Sequence, residues 1–116
     1  MKNIKVIILS IILGVLVASS FAAGDENSVG IIIDTRTEAE WNNGHLEGAV
    51  LIPYDTIVQG ITAIAPDKKA RINLYCRTGR RSGIALDTLK KEGYSNLTNL
   101  GSMENASAVL RKTIVK

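Results

Sequence analysis

The sequence contains few of the residues that build metal centres and cross-linked folds. Its 116 residues include one cysteine, Cys76, and one histidine, His45. A single cysteine cannot form an internal disulfide, and one cysteine with one histidine cannot supply the ligands of a structural zinc site. The sequence also lacks a glycine-rich nucleotide-binding loop and a Ser/His/Asp constellation. We therefore predict no metal and no cofactor, in a chain long enough for one domain.

The excess of positive charge is too small to indicate a nucleic-acid-binding protein. The sequence carries 14 Lys and Arg against 11 Asp and Glu. Lys2 and Lys5 lie in an N-terminal segment that we expect to be removed, which leaves 12 basic residues against 11 acidic ones. No nucleic-acid partner is expected from such a balance.

Residues 1–22 have the pattern of a secretory signal peptide. A basic segment, residues 1–5, precedes an almost wholly apolar stretch, residues 6–17, and small residues flank Phe21 where a signal peptidase would read them. The apolar stretch is shorter than the about 20 residues of a membrane-spanning helix. We expect cleavage after Ala22, export to the periplasm, and one domain, residues 23–116, that does not insert into the membrane. An uncleaved anchor is the alternative.

The remaining residues alternate between predicted strands and helices. Apolar runs predict strands at residues 29–33, 49–52, 72–75 and 94–100. Helical patterns follow each of them: after a Thr37–Glu40 capping box, at residues 54–65, from the Cys76 turn to a C-terminal Gly93, and from residue 101 onward. This order predicts an α/β domain with a mainly parallel sheet. We expect Trp41 in the core and His45 as a hydrogen-bonded structural residue rather than a general base.

The lone cysteine lies where a predicted strand gives way to a predicted helix. Backbone N–H groups of that turn, the helix dipole and three arginines (Arg77, Arg80 and Arg81) all favour an anion there. Comparable settings lower a thiol pKa from about 8.5 to roughly 3.5–7.5. The pattern therefore predicts a reactive Cys76, and an inert thiol buried at the strand end is the alternative.

Several segments together resemble the rhodanese (sulfurtransferase) family, and most closely its exported phage shock protein E type. The matching segments are Ile33-Asp34-Thr35-Arg36, Glu40-Trp41, Gly44-His45-Leu46-Glu47-Gly48-Ala49, Ile52-Pro53, Tyr75-Cys76-Arg77-Thr78-Gly79-Arg80-Arg81-Ser82, Leu89 and Gly93-Tyr94. The resemblance implies a rhodanese-like three-layer α/β domain with a central, mainly parallel sheet flanked by helices. The family's Gly-Gly pair is Gly101-Ser102 here, and no tryptophan follows it.

The resemblance also implies an activity. Cys76 would take a sulfane sulfur from a small anionic donor such as thiosulfate and pass it, as a persulfide, to a thiophilic acceptor such as cyanide or a thiol. Residues of the turn would bind the substrate, and two others would brace that turn through hydrogen bonds and charge pairing. The substrate-binding residues are Arg77, Thr78, Gly79, Arg80 and Arg81, and the bracing residues are Asp34 and Arg36. The domain is expected to be a monomer.

Two other functions compete with this one. A phosphatase or arsenate reductase would place an arginine six residues after the cysteine, to grip the oxyanion, but this position is Ser82. A rhodanese-like binding module would carry sulfur or dock a partner with little turnover. The intact cysteine and its basic turn favour an enzyme, and a persulfide carrier stays open.

Overall fold

The computed structural model describes residues 29–116, so the predicted signal peptide lies outside the described residues. In chain order the elements are β1 (Ile31–Asp34), α1 (Glu38–Asn42), β2 (His45–Leu46), β3 (Val50–Leu51), a 3-10 turn (Tyr54–Thr56), α2 (Ile57–Ile64), β4 (Ile72–Cys76), α3 (Arg80–Lys91), β5 (Leu97–Ser102), α4 (Met103–Leu110) and β6 (Ile114–Val115). Among residues 29–116, none of the helices combines the length and apolarity that crossing a membrane requires.

The described chain has a central sheet of four parallel strands in the order β3-β1-β4-β5. Strand β4 lies between β1 and β5, has helices over both faces of the sheet, and is buried at all five positions. This position explains why its residues are apolar apart from Asn73. The predicted α/β fold with a mainly parallel sheet is confirmed.

Alternate residues of the sheet enter two separate cores. Ile33 and Leu74 face a core closed by α2 and α3, whereas Ile32 and Tyr75 face a second core closed by α4. The split follows from the two-residue period of a strand, which sends successive side chains to opposite faces. Helices on both faces of the sheet make the three layers that the sequence resemblance implied.

Local signals placed several element ends correctly. Thr37 and Glu40 form the predicted capping box, since each side chain meets the other's backbone N–H. Gly93 has a φ of +98° just after α3, as predicted for a residue that ends a helix. Strand β5 begins at Leu97 rather than at residue 94. Tyr94 instead packs in the core, where its hydroxyl donates to the Ala65 carbonyl at 2.6 Å.

One expectation near the first helix was wrong. Trp41 is half-buried and lies outside both cores, because α1 has only five residues and buries none of them. Its indole stacks on the imidazole of His45, with ring centroids 3.5 Å apart. His45 is hydrogen-bonded as predicted, through Nδ1 and the Trp41 carbonyl at 3.0 Å. Residues 45–46 form the short strand β2, which pairs with β6; neither strand was predicted.

Candidate active site

Cys76 is the last residue of β4, and α3 begins four residues later at Arg80. The intervening turn closes tightly because Gly79 has a φ of +98°, a conformation that favours glycine. A Cβ atom at Gly79 would also lie 3.2 Å from the Gly101 Cα atom of the neighbouring strand. This turn places the Gly79 N–H 2.9 Å from the Cys76 sulfur.

The surroundings of the sulfur favour its ionised form. Burial opposes ionisation, but the Ser82 hydroxyl and the backbone N–H groups of Ser82, Gly79 and Thr78 outweigh it and lower the pKa of Cys76 to about 7. Donors fixed by a folded turn stabilise an anion without having to reorganise. The predicted reduction of the thiol pKa is therefore present. The largest causes of the reduction are neutral donors, and Arg81 also interacts electrostatically with Cys76.

Ser82 and Asn99 belong to the site, although no role was predicted for either residue. The Ser82 oxygen lies 3.5 Å from the Cys76 sulfur and 2.7 Å from Asn99 Oδ1. Asn99 Nδ2 in turn donates to the Gly79 carbonyl at 2.9 Å. Ser82 could have been found as part of the matched cysteine motif. Asn99 could not, because its partners are 17 and 20 residues away.

The three arginines after Cys76 have different environments. Arg81 forms two hydrogen bonds with the Glu40 carboxylate, at 2.7 and 3.0 Å, and these lower the pKa of Glu40 to about 2. Arg77 is 71% exposed, with its Nε 3.9 Å from Glu40. Arg80 is exposed, and it makes no ion pair with another described residue. Only Arg77 of the three also lines the cavity beside Cys76.

Asp34 and Arg36 form a buried ion pair next to the site. Arg36 Nη2 lies 2.7 Å from Asp34 Oδ2 and also donates to the Gly44 carbonyl at 2.6 Å. The hydrogen bond to Asp34 raises the pKa of Arg36. Tyr75 donates its hydroxyl to Asp34 at 2.8 Å and accepts the Leu46 N–H at 3.0 Å. The pair thus holds the 44–46 segment and contacts Tyr75, the residue before Cys76. A role in bracing the cysteine turn stays a prediction.

A cavity of about 290 Å³ opens beside the sulfur. Its lining residues are Arg36, Glu40, Asn43, Gly44, Cys76, Arg77, Met103 and Glu104. Arg36 is already neutralised by Asp34, and Glu40 by Arg81. Glu104 forms no ion pair with any residue of the described range. One positive charge, on Arg77, and one negative charge, on Glu104, therefore remain available to a bound ion.

The fold and this geometry define a class: α/β proteins with a cysteine thiol at the carboxyl end of a central parallel strand, inside a turn of backbone donors. The chain belongs to the rhodanese family, since the model of the Rhodanese-like domain matches residues 18–108. It is 33% identical over 73 residues to the thiosulfate sulfurtransferase PspE of Escherichia coli K12, covering 63% of this chain and 70% of that protein.

Two further comparisons agree. The probable adenylyltransferase/sulfurtransferase MoeZ of Mycobacterium tuberculosis is 41% identical over 71 residues, which are 60% of this chain and 18% of MoeZ. A solved structure of a rhodanese with anions from E. coli superposes with a TM-score of 0.68 at 30% identity, covering 74% of this chain and 96% of that one. The resemblance found in the sequence is confirmed, and these relatives support sulfurtransferase activity in general.

Proposed function

We propose that this protein is a thiosulfate sulfurtransferase that carries the transferred sulfur as a persulfide on Cys76. One observation supports this proposal: Cys76 lines a small cavity, and hydrogen-bond donors around its sulfur lower its pKa to about 7. A thiol with that pKa is about half ionised at pH 7, and the thiolate is the nucleophilic form. The PspE and MoeZ names support the reaction class.

In the first step the Cys76 thiolate attacks the outer, sulfane sulfur of thiosulfate. A bond forms between the two sulfurs, the bond from the sulfane sulfur to the sulfonate sulfur breaks, and sulfite leaves with the electron pair. Three negative charges enter the step, and three leave it as the persulfide anion and sulfite. The terminal persulfide sulfur then carries the charge beside the N–H groups of the turn, which are suited to a large soft anion.

In the second step a thiophilic acceptor attacks the terminal persulfide sulfur. Cyanide takes that sulfur as thiocyanate, and a thiolate takes it as its own persulfide. In both cases the S–S bond to Cys76 breaks and the electron pair returns to the cysteine as thiolate. The enzyme requires no cofactor in this cycle because each half-reaction exchanges one sulfur between two nucleophiles.

The donor-binding residues in this proposal are Arg77, Thr78, Gly79, Arg80 and Arg81. Within this group Arg77 is the best placed to meet a dianion, since it lines the cavity and its one ion pair among residues 29–116 is a long one. Arg81 acts indirectly, because its guanidinium donates to Glu40 and so connects that residue to the turn. Arg80, outside the cavity lining, contributes through the long-range field.

Glu104 favours a second candidate function. A carboxylate on the cavity repels thiosulfate and would weaken its binding, as expected of a persulfide carrier that accepts sulfur from another protein and turns over thiosulfate slowly. The domain would then deliver sulfur or dock a partner. We further propose that the chain is exported to the periplasm after cleavage following Ala22 and acts there as a monomer.

The intact mass of the purified protein tests the proposal. Incubation with thiosulfate should add the mass of one sulfur, and cyanide should remove it again. Cys76→Ser is the matched control: it should fold, show no gain and have no transferase activity. A stable sulfur adduct with poor turnover would support the carrier. Unmodified wild-type protein after thiosulfate, in buffer free of reductants, would contradict the persulfide cycle.

A further inference from the structure

The Ser82 hydroxyl lies between two groups that can both use its proton. Asn99 has a fixed orientation, because its Nδ2 faces the Gly79 carbonyl at 2.9 Å and its Oδ1 faces the Gly101 N–H at 3.0 Å. An amide oxygen can only accept a hydrogen bond. The Ser82 hydroxyl, 2.7 Å from that oxygen, is therefore the donor in this contact.

A hydroxyl has one proton, so it cannot donate to Asn99 and to sulfur at the same time. When Cys76 is a neutral thiol, its S–H can donate to the Ser82 oxygen 3.5 Å away while Ser82 donates to Asn99. When Cys76 is a thiolate, the sulfur becomes an acceptor. The hydroxyl then has to turn from Asn99 to the sulfur, and Asn99 Oδ1 keeps only its bond from Gly101.

We propose that Asn99 is a positioning residue that competes with the Cys76 sulfur for the Ser82 proton and thereby sets how much of Cys76 is ionised. The two ends of the Asn99 side-chain amide have opposite effects on the ionisation of Cys76. The Oδ1 end retains the proton that a thiolate needs. The Nδ2 end binds the carbonyl of Gly79, the residue whose own N–H faces the sulfur at 2.9 Å. This inference builds on the proposed role of Cys76 as the nucleophile.

Asn99→Asp tests the competition. A carboxylate accepts the Ser82 proton more strongly than an amide, since charge-assisted hydrogen bonds are roughly twice as strong as neutral ones. It also cannot donate to the Gly79 carbonyl. We expect the pH midpoint for alkylation of Cys76 by iodoacetamide to rise by about one unit, which is about a tenfold loss of thiolate at pH 6.

Three further variants, Thr98→Asp, Ser82→Ala and the double variant Ser82→Ala/Asn99→Asp, separate this effect from a simple charge effect. Thr98→Asp places the same charge on the adjacent exposed residue of β5, whose side chain points to the opposite face of the strand. It should move the midpoint much less than Asn99→Asp. A Ser82→Ala background removes the hydroxyl proton for which Asn99 and the sulfur compete. In that background Asn99→Asp should shift the pH midpoint for alkylation by less than half as much as it does in the wild-type background.

The proposal is overturned if Asn99→Asp and Thr98→Asp give equal shifts, or if the Asn99→Asp shift is the same with and without Ser82. Circular dichroism spectra and thermal midpoints of the four variant proteins confirm that each is folded before its profile is compared. Alkylation does not depend on sulfur transfer. Failure of this inference therefore leaves the persulfide cycle untouched, and failure of the cycle would show separately in the mass experiment.

Discussion

Removing the charge of Glu104 should strengthen binding of thiosulfate. Glu104 lies in the first turn of α4, lines the cavity with Cys76, and has no ion pair among the described residues. A dianionic donor bound in the cavity would experience its repulsion directly. The substitution Glu104→Gln keeps the size of the side chain and removes only the charge.

The magnitude follows from the size of the cavity. We take roughly 7 Å, close to the width of a cavity of about 290 Å³, as the separation between the carboxylate and a bound donor. Coulomb's law in water gives about 1 kcal/mol of repulsion between one charge and two charges at that distance. This corresponds to about a fivefold lower KM for thiosulfate.

Steady-state kinetics with thiosulfate and cyanide measure this effect. The gain should be greatest in dilute buffer and should shrink at 1 M salt, where the screening length falls to about 3 Å. Glu47→Gln makes the same substitution at an exposed residue outside the cavity lining and should leave KM unchanged. An unchanged KM for Glu104→Gln at low salt, or an equal change for Glu47→Gln, would refute the charge argument.

Three other predictions concern the turn and its support. Arg77→Ala should raise the KM for thiosulfate several-fold and Arg80→Ala much less, because only Arg77 lines the cavity; equal effects in steady-state assays would contradict this division. The rate of sulfur loading on Cys76 should rise about tenfold between pH 6 and pH 8, around a midpoint of about 7, because its lowered pKa makes the thiolate available above that pH; stopped-flow loading that is flat over this range would disprove thiolate attack. Asp34→Asn should lower the free energy of unfolding in urea by about 3–5 kcal/mol, because it leaves the buried Arg36 guanidinium without its carboxylate; a loss below about 1 kcal/mol would mean that the pair is solvated.

The parts of the fold with strong local signals could be predicted from the sequence. The apolar run of β4 predicted its buried position, and the Thr37–Glu40 spacing predicted the start of α1. The position of Cys76 between strand and helix was enough to predict its lowered pKa, because the donors to the sulfur come from the next six residues.

Contacts between distant residues could not be predicted in the same way. Strands β2 and β6 have two residues each, too few to show a strand period, and they are stabilised by each other across the chain. The ion pair of Arg81 could not be predicted, because nothing in the local sequence shows that Glu40, 41 residues away, binds its guanidinium. Asn99 was missed for the same reason.

The burial of Cys76 limits which molecules can reach it. The residue has no exposed surface of its own, although it borders the cavity. Small anions fit such an opening, whereas the sulfur of a second folded protein would have to arrive on a slender, protruding arm. If the protein is exported as proposed, the same restriction would protect Cys76 from cross-linking with other protein thiols. We infer that the recess admits small molecules to the sulfur more readily than the cysteines of other folded proteins.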